Sequence, residues 1–164
     1  MTNNKMTICL WYDDQAEQAA NFYASVFKGS EIYRISRYGK EGFEFHKKPV
    51  GTVMTVEFTL NGMSFIALNG GPQFVFNEAM SVVTYCDTQD EIDHYWKALT
   101  EEGEEGPCGW LKDKFGVSWQ IVPSILPIYM ADKDSSKSQR VAAAYLKMKK
   151  FDIPTLTAAY EGKQ

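Results

Sequence analysis

The sequence predicts an α+β fold of paired β-α-β-β-β modules, and three observations carry that prediction. The first is a tight hairpin over residues 110–122, Trp-Leu-Lys-Asp-Lys-Phe-Gly-Val-Ser-Trp-Gln-Ile-Val. Two strand-like runs flank a turn around Phe115-Gly116, with Asp113 and Lys114 leading in. The second is a matching hairpin over residues 53–68, turning at Asn61-Gly62. Asn-Gly between apolar runs is a strong hairpin signal, because both residues tolerate positive φ. The third is repetition. Asn61-Gly62-Met63-Ser64-Phe65 matches Phe115-Gly116-Val117-Ser118-Trp119 at an offset of 54. Asp13, Gln15, Glu17, Phe22 and Gly29 match Asp87, Gln89, Glu91, Trp96 and Gly103 at an offset of 74. Two copies of one supersecondary unit explain both sets.

Taken in order, residues 6–12 read as a strand, and Asp14 is placed to cap the helix that follows. Ala16, Ala19, Ala20, Phe22, Tyr23, Val26 and Phe27 recur at helical spacing, and Gly29 stops the helix. Residues 31–38 are a strand. Residues 39–48 are polar and Gly-bearing, and account for much of the extra length of the first copy. Residues 51–60 and 63–68 form the first hairpin, which Asn69-Gly70-Gly71-Pro72 ends. The second copy restarts with a strand at 81–86, a cap at Asp87-Thr88, a helix at 91–100 closed by Gly103, and the second hairpin. Beyond Pro123 the repeat stops. A short helix is expected at 124–130 despite Pro127, an amphipathic helix at 135–150, and a last turn or two capped by Asp152. Lys147, Lys149 and Lys150 are expected at a helix C-terminus, solvated and favourable to the dipole.

Composition narrows the partners. The 164 residues are 45% hydrophobic and 14% aromatic, enough for a packed core. Net charge is −4 with no basic stripe, which argues against nucleic acid. No apolar run reaches membrane-spanning length. The N-terminal Met-Thr-Asn-Asn-Lys-Met-Thr lacks an apolar region of signal type. Three widely spaced cysteines, Cys9, Cys86 and Cys108, fit a reducing compartment better than a disulfide framework. A cytoplasmic location is the expectation.

Four motifs carry a family resemblance: Cys-Leu-Trp-Tyr-Asp from Cys9, Gln-Ala-Glu-Gln-Ala-Ala-Asn-Phe-Tyr from Gln15, Ala-Leu-Asn-Gly-Gly-Pro from Ala67 and Cys-Gly-Trp-Leu-Lys-Asp from Cys108. With the two modules, they resemble the vicinal oxygen chelate superfamily of glyoxalases, extradiol dioxygenases and bleomycin-resistance proteins. Within it the likeness is to the PhnB-like, or 3-demethylubiquinone-9 3-methyltransferase-like, family. The resemblance implies one domain over residues 1–123, with modules at about 6–69 and 80–123, and a helical extension over 124–164. It implies curved sheets around a cleft, and a homodimer. In metal-dependent relatives four strand positions hold a divalent ion. Counted from the matching motifs, they fall at Met6, Ile66, Met80 and Gln120. Two thioethers, an isoleucine and one amide cannot hold a hard ion, so no metal and no cofactor are expected. His46, in the polar insertion, and His94, within a helix, do not restore the set. The methyltransferase label lacks sequence support, because no glycine-rich turn opens a helix after a strand.

The cleft would therefore be mostly apolar. In the first hairpin Leu60 opposes Met63 and Glu57 opposes Ile66, which puts Thr55, Glu57, Ser64, Ile66 and Leu68 on the cleft side. In the second, Leu111 is expected opposite Gln120, with Ser118 and Val122 on the cleft side. Met6, Ile8, Leu10, Met80, Val82 and Thr84 are expected to join them. The ligand-binding candidates are Met6, Thr55, Ile66, Met80, Leu111 and Gln120. Glu57 is the catalytic candidate, since a carboxylate in an apolar cleft can act as general base or acid. The plainer alternative is an ion pair with Arg34 or Arg37. Cys108 reads as an inert thiol. Asn69-Gly70-Gly71 either binds an anion or simply ends its strand. Three functions follow: a small-organic-molecule binder without metal, catalysis undecided; a metal-dependent lyase, isomerase or dioxygenase with other ligands; or a drug-sequestering protein.

Overall fold

A computed structural model describes residues 5–163; Met1-Thr2-Asn3-Asn4 of the polar N-terminal stretch, and Gln164, lie outside them. The chain forms two compact units, residues 1–76 and 77–164.

The first unit runs β1 (Ile8–Tyr12), α1 (Ala16–Val26), β2 (Glu31–Arg37), α2 (Phe43–His46), β3 (Val53–Leu60) and β4 (Met63–Asn69). Its four strands lie in the order β1-β4-β3-β2, with β1 parallel to β4 and the other pairs antiparallel. One face of this sheet packs on α1. Leu10, Tyr12, Val56, Phe58, Phe65 and Ala67 are buried there against Ala16, Ala19, Ala20 and Tyr23. Tyr23 stacks over Phe58, and Phe58 over Phe65. Small alanines let the helix approach while the aromatic rings fill the gap.

The helix start differs from expectation. Asp14 is exposed and caps nothing. The Ala16 N–H at the helix start donates instead to Asn69 Oδ1 at 2.8 Å, and the Asn69 amide donates to Val53 O at 3.0 Å. One buried side chain thus caps α1 and ties β4 to β3.

The second unit repeats the topology. It runs β5 (Val82–Cys86), α3 (Gln89–Thr100), β6 (Glu104–Glu105), β7 (Trp110–Lys112) and β8 (Ser118–Pro123), with the order β5-β8-β7-β6. Here the helix cap is local. Thr88 and Glu91 form a reciprocal capping box. Ile92, Trp96 and Leu99 bury against Leu111, Trp119 and Ile121.

Three helices follow: α4 (Ile125–Met130), α5 (Ser135–Tyr145) and α6 (Ile153–Glu161). Pro127 sits in the first turn of α4, where its missing N–H costs nothing. Helix α5 ends five residues earlier than expected. The chain then turns, and Lys149 O and Met148 O accept N–H groups of Gly109 and Cys108. The Lys147-Met148-Lys149-Lys150 segment is therefore a tether, with Lys149 paired to Glu105 and Lys150 to Asp93. Among the described residues, no helix is long and apolar enough to cross a membrane.

Candidate functional site

Each sheet has one face on its helix and one face turned away, and the cross-strand register decides which side chains belong to each. In the first hairpin the two turn residues, Asn61 (φ 47°) and Gly62 (φ 81°), make a tight two-residue loop. Leu60 lies opposite Met63 and Glu57 opposite Ile66, as the sequence predicts.

The second hairpin departs from the predicted register. Leu111 pairs with Trp119, and it is Trp110 that lies opposite Gln120. The cause is the turn. Asp113 N–H bonds to Val117 O, and three residues, Lys114-Phe115-Gly116, make the loop, with Gly116 at φ 86°. A three-residue loop with a left-handed last residue shifts the register by one and swaps the faces of β7 relative to β8. Leu111 is thereby buried on the helix side, and Trp110 and Lys112 take the open face.

The edge strands also invert. Parallel pairing sets Cys9 beside Ile66 and Trp11 beside Leu68, while Leu10 and Tyr12 go to the core. Likewise Val83 lies beside Gln120, while Val82 and Thr84 pair with the buried Trp119 and Ile121. Ile8, Leu10, Val82 and Thr84 therefore leave the open face. The alternate apolar set of each edge strand belongs to the core, as hydrophobic burial requires. Met6 and Met80 precede β1 and β5 and are largely exposed.

The open face of the first unit carries a continuous cross-strand row: Cys9, Ile66, Glu57 and Arg34. Arg34 Nη1 lies 3.1 Å from Glu57 Oε1. A second row holds Trp11, Leu68, Thr55 and Ser36, with the Thr55 and Ser36 hydroxyls 2.5 Å apart. The second unit's matching row is Val83, Gln120 and Trp110, and Gln120 Nε2 donates to Ser81 Oγ at 2.9 Å. Next to it runs Ser118, Lys112 and Glu104. The sequence places Ser118 on this face, but Lys112 and Glu104 beside it are not visible there. Reading a three-residue loop from Asp113 and Gly116 would have found Lys112.

The glycine turn after β4 ends its strand. Gly70 N–H and Gly71 N–H both donate to Tyr12 O, so they are committed within the fold, and Gly71 O accepts from Trp11 Nε1. No helix follows it; residues 72–81 are irregular. Cys108 is half-buried, with its Sγ 3.7 Å from Tyr145 O. His46 lies against the Tyr38 ring and accepts the Lys48 N–H, while His94 lies on α3.

A family model described as 3-demethylubiquinone-9 3-methyltransferase matches residues 4–122. The chain belongs to that family. A solved PhnB protein of Bacillus cereus, bearing the same methyltransferase description, is 38% identical. The match covers 74% of this chain and 100% of that one, at a TM-score of 0.64. A Pseudomonas aeruginosa protein is 16% identical over 74% of this chain and 98% of that one, at 0.59. A Listeria monocytogenes fosfomycin resistance protein, solved with manganese(II) and 1S,2S-dihydroxypropylphosphonic acid, is 14% identical over 74% and 93%, at 0.51. These last two are similar in fold alone. No curated protein matches the chain.

The fold is shared with a protein solved with manganese(II), which makes the donor set on these faces the relevant chemistry. Beside Ile66 the first unit offers the Cys9 thiol, whose pKa desolvation raises, which disfavours the thiolate a metal would need. Glu57 is engaged by Arg34. The second unit offers one amide, Gln120, beside a valine. Among the described residues, no three of His, Cys, Asp and Glu group to hold a metal. These residues do not fit a chelated divalent ion.

Proposed function

We propose that this PhnB-like protein binds a small organic molecule on the open, mostly apolar faces of its sheets, without a chelated metal. The observation that carries this reading is the content of the central rows: Cys9-Ile66-Glu57 and Val83-Gln120-Trp110. Apolar surface with a few fixed polar groups is the usual make-up of a small-molecule site. Thr55 and Gln120 orient the ligand, Ile66 supplies contact, and Glu57 is the group that meets its polar atom or moves a proton. Met6 and Met80 flank the faces from the residues before β1 and β5. The protein acts as a cytoplasmic homodimer. The strand–glycine turn leads into irregular chain and not into a helix N-terminus, so it does not form the phosphate cradle of a nucleotide-type methyl donor site.

One experiment separates this reading from a metal-dependent lyase, isomerase or dioxygenase. Elemental mass spectrometry on dialysed protein, purified without a histidine tag, should find well under one equivalent of divalent metal. Near-stoichiometric metal that is lost in Gln120→Ala overturns it. A thermal-shift ligand screen follows, with Glu57→Gln and Gln120→Ala as controls. A hit that protects cells from a toxic drug and yields no product would point to sequestration.

A further inference from the structure

The row Ser118-Lys112-Glu104 borders an open pocket of about 350 Å³ within the second unit, lined also by Trp110, Pro107 and Glu78. That volume suits a small molecule. Two independent observations mark it as built for a ligand. The first is Ser118. Its side chain is almost fully buried, it lines the pocket, and its Oγ has no hydrogen-bond partner. A buried hydroxyl without a partner is costly, and such groups call for an explanation. The second is charge. On this face, among the described residues lining the pocket, the Glu78 and Glu104 carboxylates meet one ammonium, Lys112, which is ion-paired to Glu78. Glu105, next in sequence, points the other way and is held by Trp96 Nε1 at 2.9 Å and by Lys149. One carboxylate's worth of negative charge is therefore left over, centred on Glu104.

We infer that this pocket takes a small organic ammonium, with its apolar or aromatic body against Trp110 and an N–H donated to Ser118 Oγ. An ammonium gains from Glu104 and Glu78 together, and an aromatic body gains from the indole. A carboxylate or phosphonate in the same place would approach Lys112 but face Glu104. This inference rests on the open-face reading above and names its ligand class.

The test uses three probes of equal shape: 2-phenylethylamine, 2-phenylethanol and phenylacetate. Binding is followed on the full chain by calorimetry and by the tryptophan indole N–H signals. The amine should bind best, the acid worst, and the largest signal shift should fall on Trp110. Glu104→Gln should weaken the amine about threefold, as loss of an exposed ion pair does, and narrow its lead over the alcohol. Ser118→Ala should weaken it about fivefold, the scale of one hydrogen bond. Glu104 is exposed, so its variant keeps the test open even if Ser118→Ala unfolds. Phenylacetate binding as well as the amine, or no binding by any probe at millimolar concentration, overturns the inference. A screening hit weakened by Gln120→Ala but untouched by Ser118→Ala and Glu104→Gln would overturn it too, while leaving the open-face reading standing.

Discussion

Arg34 and Glu57 face each other across the β2–β3 pair, with Nη1 and Oε1 3.1 Å apart. The guanidinium is mostly exposed, and the carboxylate one-fifth exposed. Such a pair contributes at most about 1 kcal/mol. Glu57→Gln should therefore lower the melting temperature by no more than about 4 °C in a chain of this size. For a ligand found by screening, the same variant should lose affinity or turnover by far more than that stability change explains. A drop of ten degrees or more in Glu57→Gln, with ligand binding intact, would make Glu57 a structural residue and remove it from the site.

Asn69 does for α1 what a local cap does for α3. Its side chain accepts from Ala16 N–H and donates to Val53 O inside the core. Asn69→Ala strips the cap from Ala16 N–H and one donor from Val53 O inside the core, which should cost about 3 kcal/mol. Asp14→Ala should change stability by a few tenths of a kcal/mol at most, since an exposed Asp14 holds no cap. Urea denaturation of the two variants checks the contrast. Equal losses would mean that the helix start is held locally after all.

The same contrast shows what the sequence can disclose. Thr88 and Glu91 are three residues apart, so their capping box is visible as a local pattern. Asn69 lies 53 residues from Ala16, and no window reveals that meeting. The two hairpins teach a related lesson. Asn61-Gly62 carries its loop length in its residues, so the first register and the Glu57–Ile66 pair could be counted from sequence. In the second, the apparent match to Phe115-Gly116 concealed a third loop residue, Lys114, and one residue was enough to exchange Leu111 for Trp110. The repeat itself survived, because offsets of 74 and 54 align whole strands whatever their turns. On the edge strands, positions counted from motifs put Met6, Ile8 and Leu10 on the cleft side. Leu10 and Tyr12 are instead buried toward α1, which carries that whole set to the core side and overrides the count. Glu57's alternative partner, Arg34, was legible because β2 and β3 are both strongly patterned.

The second hairpin depends on one buried carboxylate. Asp113 is almost fully buried, and its Oδ1 accepts the N–H groups of Phe115 and Val117 at 2.9 and 3.1 Å. Its Oδ2 accepts the indole N–H of Trp119 at 2.8 Å. The loop that sets the register is thus pinned to the core tryptophan of β8. Asp113→Ala removes three acceptor contacts at once and should destabilise by about 3–5 kcal/mol. Asp113→Asn keeps Oδ1 for the two backbone donors but turns an amide N–H₂ toward Trp119, so it should cost roughly half as much. Chemical denaturation with tryptophan fluorescence measures both. If Asp113→Asn loses as much as Asp113→Ala, charge matters here more than the acceptor geometry.

Cys9 and Cys86 occupy equivalent edge strands and should behave in opposite ways. Cys9 is exposed on the open face, while Cys86 is fully buried. Burial, and then the nearby Glu91 and Asp87 carboxylates, push the Cys86 thiol up to about 12. At pH 8 the fraction of Cys86 thiolate is about one in ten thousand, so a thiol reagent should label Cys9 in the native protein and Cys86 only in denaturant. Desolvation also raises the Cys9 thiol, so its labelling should be slower than that of a free cysteine. The buried thiol has a consequence for stability as well. Below pH 9 it is protonated in both folded and unfolded chains, and its preference for the fold is fully present. Between pH 9 and about 12 the unfolded chain loses the proton and the folded chain keeps it. Stability must then fall with rising pH, by at most about 1.4 kcal/mol per unit from this group. Cys86→Ala should lose that share of the alkaline slope and leave the slope below pH 9 unchanged. Parallel alkaline limbs for the two proteins would show that Cys86 titrates in the fold much as it does in the open chain.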